Sequence, residues 1–451
     1  MKIIVIGCGK IGKTIIEHVS KEGHSLVIVD NNREKVEELI ERYDVMGVVG
    51  NGASLDIQEE AGVKSADLVI AVTPEDEINI LASMVAKKLG ASSTIARVRN
   101  PEYLRQTKLM QEELGLSMVV NPEQETADEI INMVNLPSLL KLEPFAKGKV
   151  NLVEILVEEN NPLIGETLIT MSKKIKTKVL ICAIQRASHV IIPNGNFKIE
   201  QGDRLSITAN ASSLVTFLKE LNLIKSPLKN IMIIGGGKIS YYLAKELPNK
   251  KYHIKLIEMN KNRAEEMAEA LPKVDVICGD GTDHDLLIEE GIEASDACIA
   301  LTNVDEENII VSMYATRLKI KKVIAKIKRN SFLTMVNDLG IASIVSPKDI
   351  VASKIISYIR ALSNKRGSNV LTLYKLVNNQ VEALEFDAKK KEKFYNKPLK
   401  DLNIKENCLI ACIIRDGNVL IPSGNDCIQL NDRVLVVTTH QQFDDLMDAF
   451  E

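Results

Sequence analysis

The sequence predicts an α/β protein made of two doubly wound parallel-sheet domains, each followed by a small β-rich α+β domain. Three observations carry that prediction. A short apolar strand at the N-terminus runs straight into a glycine-rich loop and a helix. Apolar strands then alternate with helical segments of about ten residues, the pattern of a parallel sheet covered on both faces. The whole programme restarts 228 positions later, the mark of an internal repeat.

Lys2 to Ile6 is a run of Ile and Val that reads as a buried parallel strand. The hexad Gly7, Cys8, Gly9, Lys10, Ile11, Gly12 follows at once. Gly7 lets the strand turn sharply, Gly9 lets backbone N–H groups approach a pyrophosphate, and Gly12 lets the new helix pack tightly on the strand. Phosphates would sit at that helix N-terminus. A second strand, Leu26 to Val29, ends in Asp30, where a carboxylate can accept hydrogen bonds from the ribose hydroxyls of a dinucleotide. Strand, loop, helix, strand and acid in that order predict a Rossmann-like nucleotide site.

The alternation continues with a helix over Asn32 to Tyr43, a strand over Val45 to Val49 that ends in Gly50, Asn51, Gly52 and Ala53, and a helix from Asp56 to Ala61. A strand over Asp67 to Val72, a polar loop over Thr73 to Asn79 and a helix over Ile80 to Leu89 come next. The strand Thr94 to Val98 delivers Arg97, with Arg99 just past its end; Leu116 to Val120 is the last strand, and Gln124 to Asn135 a helix leading out. Ligands of such sheets bind at the carboxyl ends of the strands, so Asp30, Gly50 to Gly52, Thr73 and Arg97 can share one crevice. The period then changes to short β-rich runs, Asn151 to Val157, Val179 to Gln185, His189 to Ile192 and Arg204 to Thr208, with Pro193-Asn194-Gly195 as turn chemistry, and Leu214 to Leu223 closes this small β-rich domain.

The second half repeats the first. Gly235, Gly237 and Glu258 lie 228 positions after Gly7, Gly9 and Asp30, behind the strand Ile231 to Ile234. Ser240 replaces the third glycine, which predicts a helix crossing its strand slightly farther out and a second site not equivalent to the first. Gly279 to Asp285 answers Gly50 to Asp56, Leu301 to Asn308 answers Val72 to Asn79, and Lys326 answers Arg97, all offset by 229. Ile421 to Gly424 and Asn431 to Thr438 answer Ile192 to Gly195 and the strand after Gly202. One unit of large plus small domain is therefore duplicated in tandem, with Pro227 at the joint. The expected domains are 1–135, 148–225, 228–360 and 368–451.

At 451 residues and 45% apolar composition the chain has room for several ordinary cores. Lys and Arg number 57 against 61 Asp and Glu, so no basic field argues for nucleic acid. No stretch reaches the roughly 18 apolar residues of a membrane span, and no signal core opens the chain. The cysteines Cys182, Cys298, Cys408 and Cys412 sit in apolar segments, as buried thiols of a reducing compartment do. A cytosolic protein is expected.

Two nucleotide-binding α/β domains, each followed by a β-rich domain with a Gly202-Asp203-Arg204-Leu205-type strand, resemble the RCK or KTN domains of the cytosolic regulators of Trk-type potassium uptake, over nearly the whole chain. The resemblance implies a protein peripheral to the inner face of the cell membrane that binds NAD(H) or adenine nucleotides such as ATP and ADP. It also implies a partner, a Trk-type potassium transporter membrane subunit, and ligand-sensing small domains. Two units per chain suggest that a dimer of chains presents four. By matching motif, the resemblance assigns the first phosphate loop to Gly7 to Gly12, the ribose acid to Asp30, the base edge to Asn51, Gly52 and Ala53, the ribose-phosphate neighbours to Thr73 and Pro74, and the phosphate cation to Arg97. The second set is Gly235, Gly236, Gly237, Lys238 and Ile239, with Glu258, Asp280, Gly281, Thr302, Asn303 and Lys326. Ser240, Asp280 and Lys326 depart from the first set.

An NAD-dependent oxidoreductase is the alternative reading. It needs an acid or base beside the nicotinamide, and the histidines share no motif; His284 in the Gly279 to Asp285 segment reads as a solvated helix-start residue. Cys408 and Cys412 stand about 13 Å apart in an extended strand, too far for one zinc or one disulfide, and read as core. Glu123, Glu125, Asp128 and Glu129 read as a solvated helix face. A ligand-responsive regulator without catalytic residues or metal is therefore expected.

Overall fold

The computed structural model describes the chain except residues 137–139, 146–149, 188, 224–227, 333–334, 337–338, 340, 342, 365–369, 377–380, 390–391, 440–442, 444 and 451, and the side chains of 141–145, 211–212, 330, 361, 364 and 370–376. The joint at Pro227 and the expected domain bounds at 148, 225 and 368 lie outside the described residues.

Strands β1 (Lys2–Ile6), β2 (Ser25–Asp30), β3 (Met46–Val49), β4 (Leu68–Ala71), β5 (Ser93–Arg97) and β6 (Met118–Val120) form one sheet in the order 3-2-1-4-5-6, with every pairing parallel. Ile3, Ile4, Val5 and Ile6 are all buried, as a central strand covered on both faces requires. The chain winds outward from β1 to β3, then returns to the other side of β1 with β4. In doubly wound sheets a reversal of this kind sends the following helices to opposite faces, and ligands bind there at the carboxyl ends of the strands. Strands β12 (Asn230–Ile234), β13 (His253–Glu258), β14 (Asp275–Cys278), β15 (Ala297–Ala300), β16 (Lys322–Lys326) and β17 (Ser343–Val345) repeat the arrangement, parallel throughout, in the order 14-13-12-15-16-17.

The polar segment after β4 is shorter than expected. Its helix spans Asp76–Leu89, because Asp76 and Glu77 fill the first turn, where carboxylates favour the helix N-terminus, and Asn79 points inward rather than to water. The helix Pro122–Asn135 also differs from the expected solvated face. Glu123 pairs with Arg99 and Glu125 with Lys354, so the carboxylates anchor neighbouring elements.

Each small domain is an antiparallel sheet of five strands. The first orders β7 (Lys141–Phe145), β8 (Val150–Leu156), β9 (Leu180–Arg186), β10 (His189–Ile191) and β11 (Arg204–Asn210) as 10-9-11-8-7. The second orders β18 (Val370–Leu376), β19 (Val381–Asp387), β20 (Cys408–Arg415), β21 (Asn418–Leu420) and β22 (Arg433–Thr438) as 18-19-22-20-21, the same topology strand for strand. Helix Leu168–Lys174 interrupts a region expected to be strand and turn only; a Thr167–Thr170 capping box satisfies its first amides. Fully buried Phe217 packs the closing helix against Ile155, Ile184 and Ile207.

The opposite faces of the two small sheets meet. Leu152, Cys182 and Ala183 form one buried cluster with Ala383, Ala411, Cys412, Leu435 and Val437. A bulge between Ile410 and Cys412 turns β20 by one residue, so Cys408 lies in the helix-side core of its own domain while Cys412 lies in the shared cluster. Both cysteines are core residues, as expected, on opposite faces of one strand. By contacts the chain forms two compact units, Met1–Ala127 with Ser346–Ile359, and Asp128–Val345 with Arg360–Glu451.

The turn before the last strand of each small domain has one buried pin. Asp203, fully buried, accepts from Arg186 Nε and Nη2 at 2.8 and 2.9 Å and from the Glu200 amide at 2.9 Å. Asp432 does the same for Arg415 and the Gln429 amide. Asp203→Ala would leave the guanidinium and the amide without their acceptor and is expected to cost about 2 to 3 kcal/mol, read in urea unfolding, whereas Glu200→Ala at the exposed end of the same arginine should change stability by less than about 1 kcal/mol.

Candidate nucleotide-binding crevices

The first crevice is assembled by steric closeness at the reversal of strand order. Gly7 has φ +102°, its N–H donates to the Val29 carbonyl at 2.8 Å, and a Cβ at this position would stand 2.8 Å from the Thr73 nitrogen. The tips of β1 and β4 therefore touch only because residue 7 has no side chain. A Cβ on Gly12 would lie 2.0 Å from the Gly7 carbonyl oxygen, which fixes how closely helix Lys10–Val19 crosses the strand. At Gly9 a Cβ would meet nothing within 4 Å, so the loop backbone is open on the side where a phosphate would approach. Cys8 and Ile11 are buried and Lys10 is exposed.

Asp30 ends β2 beside this loop. Its Oδ2 accepts from the Cys8 N–H at 2.7 Å and its Oδ1 from the Asn32 N–H at 2.9 Å, which holds the carboxylate in one orientation with a lone pair still free on each oxygen. Asn51 is exposed and caps its own turn through the Ala53 N–H; Gly52 is buried, and a Cβ there would stand 2.1 Å from Ile6 Cγ2. Thr73 is half-buried and Pro74 exposed at the rim. Arg97, at the end of β5, is half-buried with Nε and Nη2 sealed from solvent and without a hydrogen-bond partner. Burial, and then Arg99, pull its pKa below the ordinary arginine value, against Glu123 and Asp76. Two donors of this half-buried cation are thus available to an acceptor.

Asn79 was not singled out from the sequence, yet it ties the site together. Fully buried, it accepts from the Thr73 N–H and hydroxyl at 2.7 and 2.8 Å and donates to the Thr73 and Arg97 carbonyls at 3.0 and 2.9 Å. One side chain thus sets the spacing of the two strand ends that carry site residues. The signal was present in the repeat, since Asn308 stands at the same place and bonds Thr302 and Lys326 in the same way.

The second crevice keeps the frame and changes the chemistry. Gly235 (φ +97°) touches Thr302 as Gly7 touches Thr73, and Gly237 is as open as Gly9. Glu258 accepts from the Gly236 and Asn260 amides, as Asp30 does from Cys8 and Asn32. Ser240, fully buried, donates its hydroxyl to the Gly235 carbonyl, the counterpart of the Gly7 carbonyl that a Cβ on Gly12 would strike. Lys238 and Asn303 are exposed, Ile239 is buried, and buried Gly281 lies against Ile234 as Gly52 lies against Ile6. Asp280 replaces Asn51, its pKa held down by the Thr282 amide and hydroxyl. Lys326 is buried and donates its ammonium to the Leu301 carbonyl at 2.8 Å. His284 opens helix His284–Glu289, more than half exposed, against the Tyr314 ring at 4.4 Å.

Two parallel sheets, each with a glycine loop and an orienting acid beside the strand-order reversal and a cation one strand further on, define a tandem Rossmann-type protein. The TrkA-N domain model matches residues 3–122 and 231–347, and the TrkA-C domain model matches 152–222 and 384–451. The chain belongs to the TrkA family of tandem TrkA-N and TrkA-C proteins. It is 33% identical over 449 residues to the Trk system potassium uptake protein TrkA of Vibrio alginolyticus, covering 98% of this chain and 97% of that one. The TrkA of Haemophilus influenzae is 30% identical over 440 residues, 97% of this chain and 95% of that one. Among solved structures, the GsuK channel bound to NAD matches with a TM-score of 0.63 at 18% identity over 97% of this chain and 76% of that one, and the GsuK RCK domain with 0.63 at 19% over 97% and 92%. The fold is thus shared with these structures.

Asn79→Ala is expected to destabilise the protein by about 2 to 4 kcal/mol, because it leaves the buried Thr73 amide and two carbonyls unpaired; a thermal or urea melt checks this, and Asn308→Ala should behave alike. Cysteine chemistry gives a second expectation. Burial, and then the Asp30 charge, push the Cys8 thiol up to about 12, and burial does the same to Cys182, Cys298, Cys408 and Cys412. Below that value these groups are neutral thiols, so iodoacetamide at pH 8 should label exposed Cys278 first and leave Cys8 unmodified until the protein is unfolded.

Proposed function

We propose that the chain is a cytosolic, nucleotide-binding regulatory subunit of a potassium uptake system, working at the inner face of the membrane through a Trk-type membrane subunit. The observation that carries the nucleotide part is the first crevice: an open Gly9 backbone, a pre-oriented Asp30 carboxylate and the unpartnered Arg97 donors at one strand-order reversal. NAD(H) fits that set, with pyrophosphate on the Gly7–Gly12 loop, ribose hydroxyls on Asp30, and Asn51 to Ala53 with Thr73 and Pro74 along the base and ribose. ADP and ATP share those contacts. The names of the full-length relatives supply the potassium part. Among the described residues no helix is long and apolar enough to cross a membrane.

Regulation without catalysis is favoured by what lines the crevice. The thiol within the phosphate loop, Cys8, is neutral at physiological pH and so is not a nucleophile, and Asp30 is held by two backbone N–H groups in the place of a ribose acceptor. A nucleotide that closes one crevice can change the partner only if it binds two conformations with different affinity. Two tandem units per chain give a dimer of chains four such elements around a pore subunit.

Asp30→Ala, with Glu258→Ala disabling the second site, should weaken NADH by about 1.5 to 3 kcal/mol, tenfold or more in Kd by calorimetry. Potassium flux through a Trk-type membrane subunit in liposomes should respond to the wild-type chain and to nucleotide. Unchanged affinity in the mutant, or flux indifferent to the chain in every nucleotide state, sinks the reading.

A further inference from the structure

The two crevices share a backbone frame but differ in the charge free to meet a phosphate. In the first, Arg97 has two buried donors without a partner, and the neighbouring base-edge residue, Asn51, is neutral. In the second, the Lys326 ammonium is already bonded to the carbonyl of Leu301, the last residue before the Thr302 turn. Asp280 adds a carboxylate where Asn51 has none. Arg263 brings no compensation, since its Nε donates to the Gly236 carbonyl and its Nη1 pairs with Glu266. A guanidinium with unpaired planar donors gains charge-assisted bonds when a pyrophosphate arrives, whereas an ammonium already donating to a buried carbonyl has fewer donors left to offer and no planar fork to match the phosphate oxygens.

We propose that the crevices are functionally unequal: the first is the high-affinity site for pyrophosphate-bearing nucleotides, and the second, its cation internally committed and its rim more acidic, discriminates against phosphate charge and fills only at higher ligand concentration. This rests on the nucleotide reading above and extends it to regulation. One chain then responds in two concentration ranges of the same ligand, or holds a phosphorylated nucleotide in one crevice while the other takes a less charged nucleoside. Ser240 and Glu258 leave the second loop intact, so the difference comes from charge and not from a collapsed site.

Isothermal titration of the full chain tests this with ADP and with adenosine. ADP should show one tight equivalent per chain and a second at least about tenfold weaker, while adenosine, which lacks phosphate, should bind the two within about threefold of each other. Arg97→Gln should abolish the tight ADP event with little effect on adenosine, and Lys326→Gln should leave the tight event within about twofold. Arg97→Gln removes a guanidinium whose Nε and Nη2 have no hydrogen-bond partner, so its apo melting temperature should stay close to that of the wild type, which separates lost affinity from lost folding. Two equal ADP sites, or a tight event lost in Lys326→Gln and kept in Arg97→Gln, overturns the inequality while leaving the nucleotide reading standing. Absence of binding by ADP and NADH alike overturns both.

Discussion

The strand ends of each large domain are arranged around one steric constraint, the contact between the loop after the central strand and the loop after its neighbour across the reversal. Gly7 and Thr73 in the first sheet, and Gly235 and Thr302 in the second, approach so closely that no side chain fits at the glycine. The glycine loop, the acid that ends β2 or β13 and the cation that ends β5 or β16 all lie at the carboxyl ends of their strands. Asn79 and Asn308 convert the contact into a fixed geometry, because each spans from the threonine turn to the next strand end with both ends of its amide. Their full burial makes those bonds costly to break.

The duplication preserved this frame and allowed the chemistry inside it to drift. Ser240 stands where Gly12 stands in the first domain, and its hydroxyl donates to the carbonyl of the glycine loop. Replacing Arg97 by Lys326 altered more than shape. A lysine is a compact charge on a flexible stem and found a carbonyl within its own domain; a planar guanidinium in the same frame did not. Small substitutions at matched positions can therefore make one fold hold two different electrostatic sites.

The small domains meet a different requirement. Each sheet has one face covered by its own helices and one apolar face left over, and the tandem arrangement lets the two leftover faces cover each other within one chain. The bulge in β20 matters here, since it directs Cys412 rather than Cys408 into the shared cluster. The Arg186–Asp203 and Arg415–Asp432 pins keep the turns at the rim of each sheet in place.

By itself the sequence determined the two sheets, their order of elements, the duplication and the residues around each loop, because glycine spacing, apolar runs and an acid at a strand end are local signals with a fixed physical meaning. Only the tertiary structure decided how those residues are used. The early start of helix Asp76–Leu89 and the inward turn of Asn79 depend on partners in other strands, and helix Leu168–Lys174 rests on a cap that reads as ordinary threonines in the sequence. Glu123 and Glu125 look like a solvated face until Arg99 and Lys354 arrive from distant segments. The contrast between Arg97 and Lys326, two cations at equivalent positions, exists only in three dimensions, because whether a charge is free or engaged depends on which carbonyls and carboxylates surround it.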